Sequence, residues 1–226
     1  MKHAAFPTRL DLSDAITPPA LPTQYLPALK LDLVDATPDQ AITHLLAPGR
    51  RRAFFMNAHC CNLRRRDPAY AHAVARADVL LPDGIGVELA AKMTGQKLTA
   101  NLNGTDLVPM LLAKAARMGK SVYLFGGTPG TAEAAAGRLI HTIPHLRIAG
   151  TRDGYGGAAD AEAVIAEIND SGADIVLVAL GVPMQELWID RHRPDLAPRL
   201  MALMDSSDRV STQVVGQSTE GRDLYL

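Results

Sequence analysis

The sequence predicts an α/β fold of Rossmann-like type: a mostly parallel sheet with helices on both faces and a ligand crevice at the carboxyl edge of its strands. Three observations carry that prediction. Short apolar runs at 53–56, 78–81, 121–125 and 173–180 alternate with longer segments of helical period. The runs are continuously apolar, as strands buried on both faces are. Several end in glycine-bearing or polar turns, where open α/β sheets place their ligands.

Taken in order, residues 1–27 contain Pro7, Pro18, Pro19, Pro22 and Pro27 and read as a flexible arm. The α/β domain is expected over 28–204. Residues 30–33 alternate polar with apolar, as a half-buried strand does. Thr37 followed by Pro38 is a helix start, and the helix runs through Ala41, Ile42, Leu45 and Leu46 to Pro48-Gly49. Arg50, Arg51 and Arg52 lead into strand 53–56, with Asn57 at its end. Asp67-Pro68 repeats the cap-and-proline signal and opens an alanine-rich helix to about residue 75. Strand 78–81 leads to Pro82-Asp83-Gly84, and helix 87–93 closes near Gly95. In Asn103-Gly104-Thr105-Asp106, Thr105 is expected to cap a helix through Leu107, Met110, Leu111, Ala115 and Met118. Strand 121–125 runs into Gly126-Gly127-Thr128-Pro129-Gly130 and an alanine-rich helix through Leu139. A shorter strand at 146–149 precedes Gly154-Tyr155-Gly156-Gly157, and a helix follows over 160–168. Strand 173–180 ends at Gly181-Val182-Pro183-Met184-Gln185-Glu186, which opens a helix with Trp188. A last strand is expected at 199–204, and Asp205 opens a polar tail over 205–226.

Bulk composition narrows the function classes. A chain of 226 residues with 47% apolar content can bury a sizeable core. A net charge of -1 and 4% aromatic residues give no basis for nucleic-acid binding. Cys60 and Cys61 are adjacent and cannot easily bridge each other; with no zinc spacing present, they suit a reducing, cytosolic setting. Residues 1–29 have no apolar h-region, and no window reaches about 18 uncharged apolar residues. A soluble cytoplasmic protein is expected, with peripheral membrane contact left open. Apolar helix faces leave room for a homo-oligomer.

The turns admit two readings each. The Gly126-Gly127 turn is either an ordinary strand–helix turn or a place where a diphosphate meets a helix N-terminus. It is neither a Walker A loop nor a Gly-x-Gly-x-x-Gly fingerprint. Gln185 and Glu186 either hold sugar hydroxyls or begin a helix whose macrodipole Glu186 complements. Asp83 is either a general base, approached because Gly84 and Gly86 leave space, or a helix N-cap. Asn103 and Asp106 are likewise either helix caps or functional groups, and Asn57 is either a polar group held at its strand end by neighbouring loops or a substrate ligand. A nucleophilic role for His59, Cys60 or Cys61 is disfavoured, because neighbouring residues rarely present both side chains to one site. The triplets 50–52 and 64–66 read as solvated basic faces or as attractors of anionic headgroups.

Read together, Asn57, Ala77-Asp78, Pro82-Asp83-Gly84-Ile85-Gly86, Gly104-Thr105-Asp106-Leu107, Phe125-Gly126-Gly127-x-Pro129, Gly154-Tyr155 and Leu180-Gly181-x-Pro183-x-Gln185-Glu186-x-Trp188-Ile189 resemble the WecG/TagA/CpsF family of bacterial glycosyltransferases. The set occurs in family order over roughly residues 50–195, and the wording at 57–59 and 101–106 is similar to the exopolysaccharide, xanthan-pathway branch. The resemblance implies inverting transfer of a sugar from a UDP-sugar to a polyprenyl-diphosphate-linked sugar, without a cofactor or obligatory metal. It implies Asp83 as the base with Asn57 beside it. It also implies Gly84, Asn103, Thr105, Asp106, Gly126, Gly127, Tyr155, Gly181, Pro183, Gln185 and Glu186 as substrate-binding positions. Two departures stand out: Asn101 where teichoic-acid-type members carry an arginine, and the polar tail where the family continues into a basic, aromatic appendage. Competing readings are a dinucleotide-dependent oxidoreductase and a nucleotide-sugar-binding remnant.

Overall fold

The computed structural model describes residues 20–157 and 160–203. The first element is a hairpin, β1 (Thr23–Leu26) against β2 (Leu31–Val34), antiparallel with Leu26 opposite Leu31. The expected arm over 1–27 is therefore a strand over its last residues. Pro22 and Pro27 bracket that strand without interrupting it, and Leu26 is completely buried with Met56, Tyr70 and Val87. Residues 1–19 of the arm, Met204 and the tail over 205–226 lie outside the described residues.

Helix α1 (Pro38–Leu46) starts as its sequence predicts: the Thr37 side chain accepts from the Gln40 N–H, and the Gln40 side chain accepts from the Thr37 N–H. Strand β3 (Arg51–Met56) begins earlier than expected and takes in two arginines. Neither forms a solvated face. Arg51 donates to the carbonyls of Ala47, Pro48 and Gly49, the open C-terminal end of α1. Arg52 reaches Asp78 at 3.4 Å and Asp190 at 3.0 Å, and donates to the Arg76 carbonyl. Of the second triplet, Arg64 donates to the Leu29 and Lys30 carbonyls of the hairpin turn, while Arg65 and Arg66 are exposed.

Helix α2 (Ala58–Arg64) is absent from the sequence reading, since its cysteines, histidine and asparagine are weak helix formers with no apolar period. Helix α3 (Pro68–Ala75) is capped by Asp67, as expected. Then come β4 (Val79–Pro82), α4 (Ile85–Met93), α5 (Gly104–Arg117), β5 (Ser121–Gly126), α6 (Thr131–Thr142), β6 (Arg147–Arg152), the single turn α7 (Gly154–Gly157), α8 (Ala161–Asp170), β7 (Ile175–Ala179), α9 (Met184–His192) and β8 (Leu200–Leu203).

The main sheet has six strands in the order β4-β3-β8-β7-β5-β6, and every neighbouring pair is parallel. Alternate residues of β5 show what covers one face. Tyr123 donates to Glu167 of α8 at 3.2 Å, and the Phe125 ring meets Trp188 of α9 at a centroid distance of 4.9 Å. Helix α3 packs on α9. On the opposite face, where right-handed crossovers place the connections running the other way, α1 packs on α5 and Lys114 pairs with Asp39. Among the described residues no helix is long and apolar enough to cross a membrane.

The arginine in β3 sets a stability test. Asp190→Ala leaves the buried Arg52 guanidinium short of a partner and is expected to lower stability by roughly 3 kcal/mol. Lys114→Ala breaks a solvated pair and should cost less than about 1 kcal/mol. Urea denaturation midpoints of the two variants check the contrast.

Candidate active site at the carboxyl edge of the sheet

Asp83 follows the last residue of β4, and Asn57 follows the last residue of β3. These strands pair in register, Met56 opposite Pro82, so the two side chains leave neighbouring strand ends. The Asp83 N–H donates to the Met56 carbonyl at 3.1 Å. Gly84, at φ 83°, occupies the N-cap position of α4, and no side chain caps that helix. Gly84 rather than Asp83 thus holds the N-cap position, and the half-buried Asp83 carboxylate stands at the strand end. A residue that sequence reasoning had not placed in the site fixes this turn: Asn101 Oδ1 accepts the Gly84 N–H at 2.9 Å. The Leu102 N–H donates to the Pro82 carbonyl at 2.9 Å, which brings the start of α5 against the end of β4.

Asn103, not Thr105, caps α5. Its Oδ1 accepts the Asp106 N–H at 2.9 Å and its Nδ2 donates to Asp106 Oδ2 at 2.8 Å. An asparagine reaching the N3 position satisfies the first turn better than a threonine already inside the helix. Thr105 and Asp106 are exposed at this end of the sheet. Asn57 has a structural task as well, since its Oδ1 caps α2 through the Cys60 N–H at 3.0 Å. Cys60 and Cys61 are buried, and burial pushes both thiols up, Cys61 to about 11, which removes them as thiolate nucleophiles at neutral pH.

The remaining candidates gather across β8, at the ends of β5, β6 and β7. The Gly127 N–H donates to the Ala179 carbonyl at 3.0 Å, and the Gly127 carbonyl accepts the Gly154 N–H at 2.8 Å. A Cβ on Gly126 would lie 2.2 Å from the Ala179 oxygen, so the adjoining strand already requires glycine there. Tyr155 is 74% exposed beside this knot. Gly181 and Pro183 lead into α9, where Gln185 Oε1 accepts the Gly181 N–H at 3.2 Å. Gln185 and Glu186 do occupy the first turn of α9, yet both are buried, Glu186 completely. Glu186 Oε1 accepts from the Tyr70 hydroxyl at 3.4 Å, and Tyr70 in turn lies within hydrogen-bonding reach of Cys60 in α2. A buried polar chain thus joins the first turn of α9 to the helix that Asn57 caps.

Burial raises the Glu186 carboxyl from 4.5 to about 7, a shift that hydrogen bonds from its own backbone N–H, from Gln185 and from Tyr70 only partly offset. Among the described residues no group of three or more His, Cys, Asp or Glu side chains is arranged to hold a metal ion.

Fold and edge together define a Rossmann-like α/β protein whose polar groups converge at the carboxyl ends of its parallel strands. Residues 27–215 match the family described as "Glycosyl transferase WecG/TagA/CpsF family". An N-acetylglucosaminyldiphosphoundecaprenol N-acetyl-beta-D-mannosaminyltransferase of Bacillus spizizenii is 33% identical over 185 residues, covering 80% of this chain and 71% of that protein. A protein of the same name from Bacillus subtilis is 30% identical over 138 residues, covering 61% of this chain and 53% of that protein. The chain belongs to the WecG/TagA/CpsF family and is a glycosyltransferase.

Two measurements follow from the geometry. Between pH 4.5 and about 7 the folded state keeps a Glu186 proton that the unfolded chain has released, so stability falls as pH rises through that window. Glu186→Gln should abolish this fall and be more stable than the parent above pH 7, by on the order of 1–3 kcal/mol, with the two converging near pH 4. Thermal melts across pH read the difference. Gly126→Ala, with its Cβ against a backbone oxygen and φ at 139°, is expected to cost roughly 2–4 kcal/mol by urea denaturation.

Proposed function

We propose that this chain transfers a hexose, of the N-acetylmannosamine or glucose type, from a UDP-sugar to a polyprenyl-diphosphate-linked sugar, with inversion. The product feeds a bacterial exopolysaccharide or another cell-surface polymer. The observation that carries the reading is Asp83, a carboxylate at the carboxyl end of a parallel strand, in a turn pinned by Met56 and Asn101. Family membership supports the transferase chemistry, and the names of the two Bacillus relatives favour N-acetylmannosamine over glucose.

In this mechanism the acceptor hydroxyl lies against Asp83. The carboxylate takes its proton as the hydroxyl oxygen attacks the anomeric carbon from the face opposite the diphosphate. The new glycosidic C–O bond forms while the bond to the diphosphate breaks, and UDP leaves with the electron pair. Asn57, Asn103, Thr105 and Asp106 border the acceptor side. Gly126-Gly127, Tyr155 and the Gly181–Glu186 turn border the donor side, with Glu186 supporting Gln185 from within. Such an enzyme works at the cytoplasmic face of the inner membrane, where nucleotide sugars and lipid-linked acceptors meet.

Asp83→Asn and Asp83→Ala should lower turnover by roughly 10²- to 10⁴-fold with a folded protein retained. The assay is transfer of radiolabelled N-acetylmannosamine from its UDP donor to a lipid-diphosphate N-acetylglucosamine. Unchanged turnover would remove Asp83 as the base. Thermal stabilisation by NAD but not by UDP would overturn the nucleotide-sugar reading in favour of a dinucleotide enzyme.

A further inference from the structure

Helix α4 begins directly after the Asp83-Gly84 turn and turns an apolar stripe to solvent. Ile85 is 80%, Leu89 57% and Met93 78% exposed. Their spacing, four residues apart, aligns them along one face, while Val87 and Ala91 bury the other. Three large apolar side chains in a row on one nine-residue helix are unusual for a surface that meets only water.

The charges around the stripe are informative. By helical geometry Lys92 falls within the same arc, and it is exposed; Lys97, just beyond the helix, is exposed too. The helix's one acid, Glu88, is half-buried. Just past the C-terminal end of α4, Gln96 donates to the Tyr25 carbonyl at 2.7 Å, which brings the hairpin strand that carries the 50% exposed Tyr25 close to that end of the helix. Apolar side chains bordered by lysines and a half-exposed tyrosine form the pattern of a surface lying in the headgroup region of a bilayer.

We propose that this face of α4, with Tyr25, Lys92 and Lys97 at its border, docks on an anionic lipid bilayer. The inference rests on the lipid-linked acceptor of the preceding reading. Ile85 is two residues past Asp83, so seating the stripe in the headgroups brings the strand end that holds the base to the membrane surface. The apolar side chains supply burial, and the lysines supply attraction to anionic lipid and its salt dependence.

Flotation of the purified full chain with vesicles tests this. The chain should float with phosphatidylcholine vesicles containing phosphatidylglycerol and stay behind with phosphatidylcholine alone. Ile85→Asn, Leu89→Asn and Met93→Asn combined should lower partition roughly tenfold or more. Lys92→Glu should weaken it severalfold at low salt, with less difference at high salt. If the triple variant lacks a cooperative melt, Lys92→Glu and the single Leu89→Gln decide the question, and parent-like partition in both overturns the proposal. Failure of the parent chain to float with anionic vesicles overturns it as well. So does a parent dimer in light scattering that the triple variant splits while vesicle partition stays unchanged, which would assign the stripe to self-association. Transfer to a water-soluble short-chain acceptor separates the two readings: the triple variant should keep that activity and lose transfer to acceptor embedded in vesicles. No transfer by the parent chain would sink the transferase reading and leave the flotation result to stand by itself.

Discussion

A parallel strand can be followed by another parallel strand only if the chain crosses back over the sheet, and each crossover returns it to the same starting edge. Six such strands in this protein therefore deliver six strand ends to one edge. That single constraint places Asp83, Asn57, Gly126 and the Gly181 turn near one another, although they are up to 124 residues apart in the chain. The direction of travel across the sheet reverses at β4 and again at β6, so the crossovers between β4 and β6 cover one face and the rest cover the other. Both faces are then covered, which is why the strands read as unbroken apolar runs.

Arg52 enters β3 beside Arg51, in a strand that is otherwise apolar, and is held there by Asp78, just before the neighbouring strand, and Asp190 from α9. The arrangement ties the end of β3 that lies opposite the site to the far end of α9, whose first turn belongs to the site. At the near end of α9, Glu186 and Tyr70 join that helix to α3 through one hydrogen bond in a dry interior. Polar contacts at opposite ends of α9 thus fix that helix against β3 at one end and α3 at the other.

Much of the architecture was legible in the sequence because it rests on local signals. Thr37-Pro38 and Asp67-Pro68 announced their helices, and the apolar run at 173–180 announced its strand. What stayed hidden depends on partners distant in sequence. Arg51 and Arg52 resembled a solvated triplet, since nothing local reveals that Asp190 waits for one of them. Helix α2 has weak propensity throughout and exists because Asn57 caps it and Cys60 packs on Tyr70. The second strand of the hairpin was readable at 30–33, but the first, 23–26, was obscured by the prolines that flank it. At the site, the position of Asp83 was readable from its strand. The grip of Asn101 on Gly84 was not, because it spans 17 residues and a helix.

The place of β8 has a consequence for how the protein forms. This strand is the last of the described elements in chain order, yet it lies in the middle of the sheet, with β3 on one side and β7 on the other. Until it arrives, β4-β3 and β7-β5-β6 are two unjoined fragments, each with a bare hydrogen-bonding edge. On the ribosome the nascent chain must hold those edges apart from other chains until residues 200–203 have cleared the exit tunnel. Closure of the sheet, and with it alignment of all six strand ends along one edge, is then a single late event.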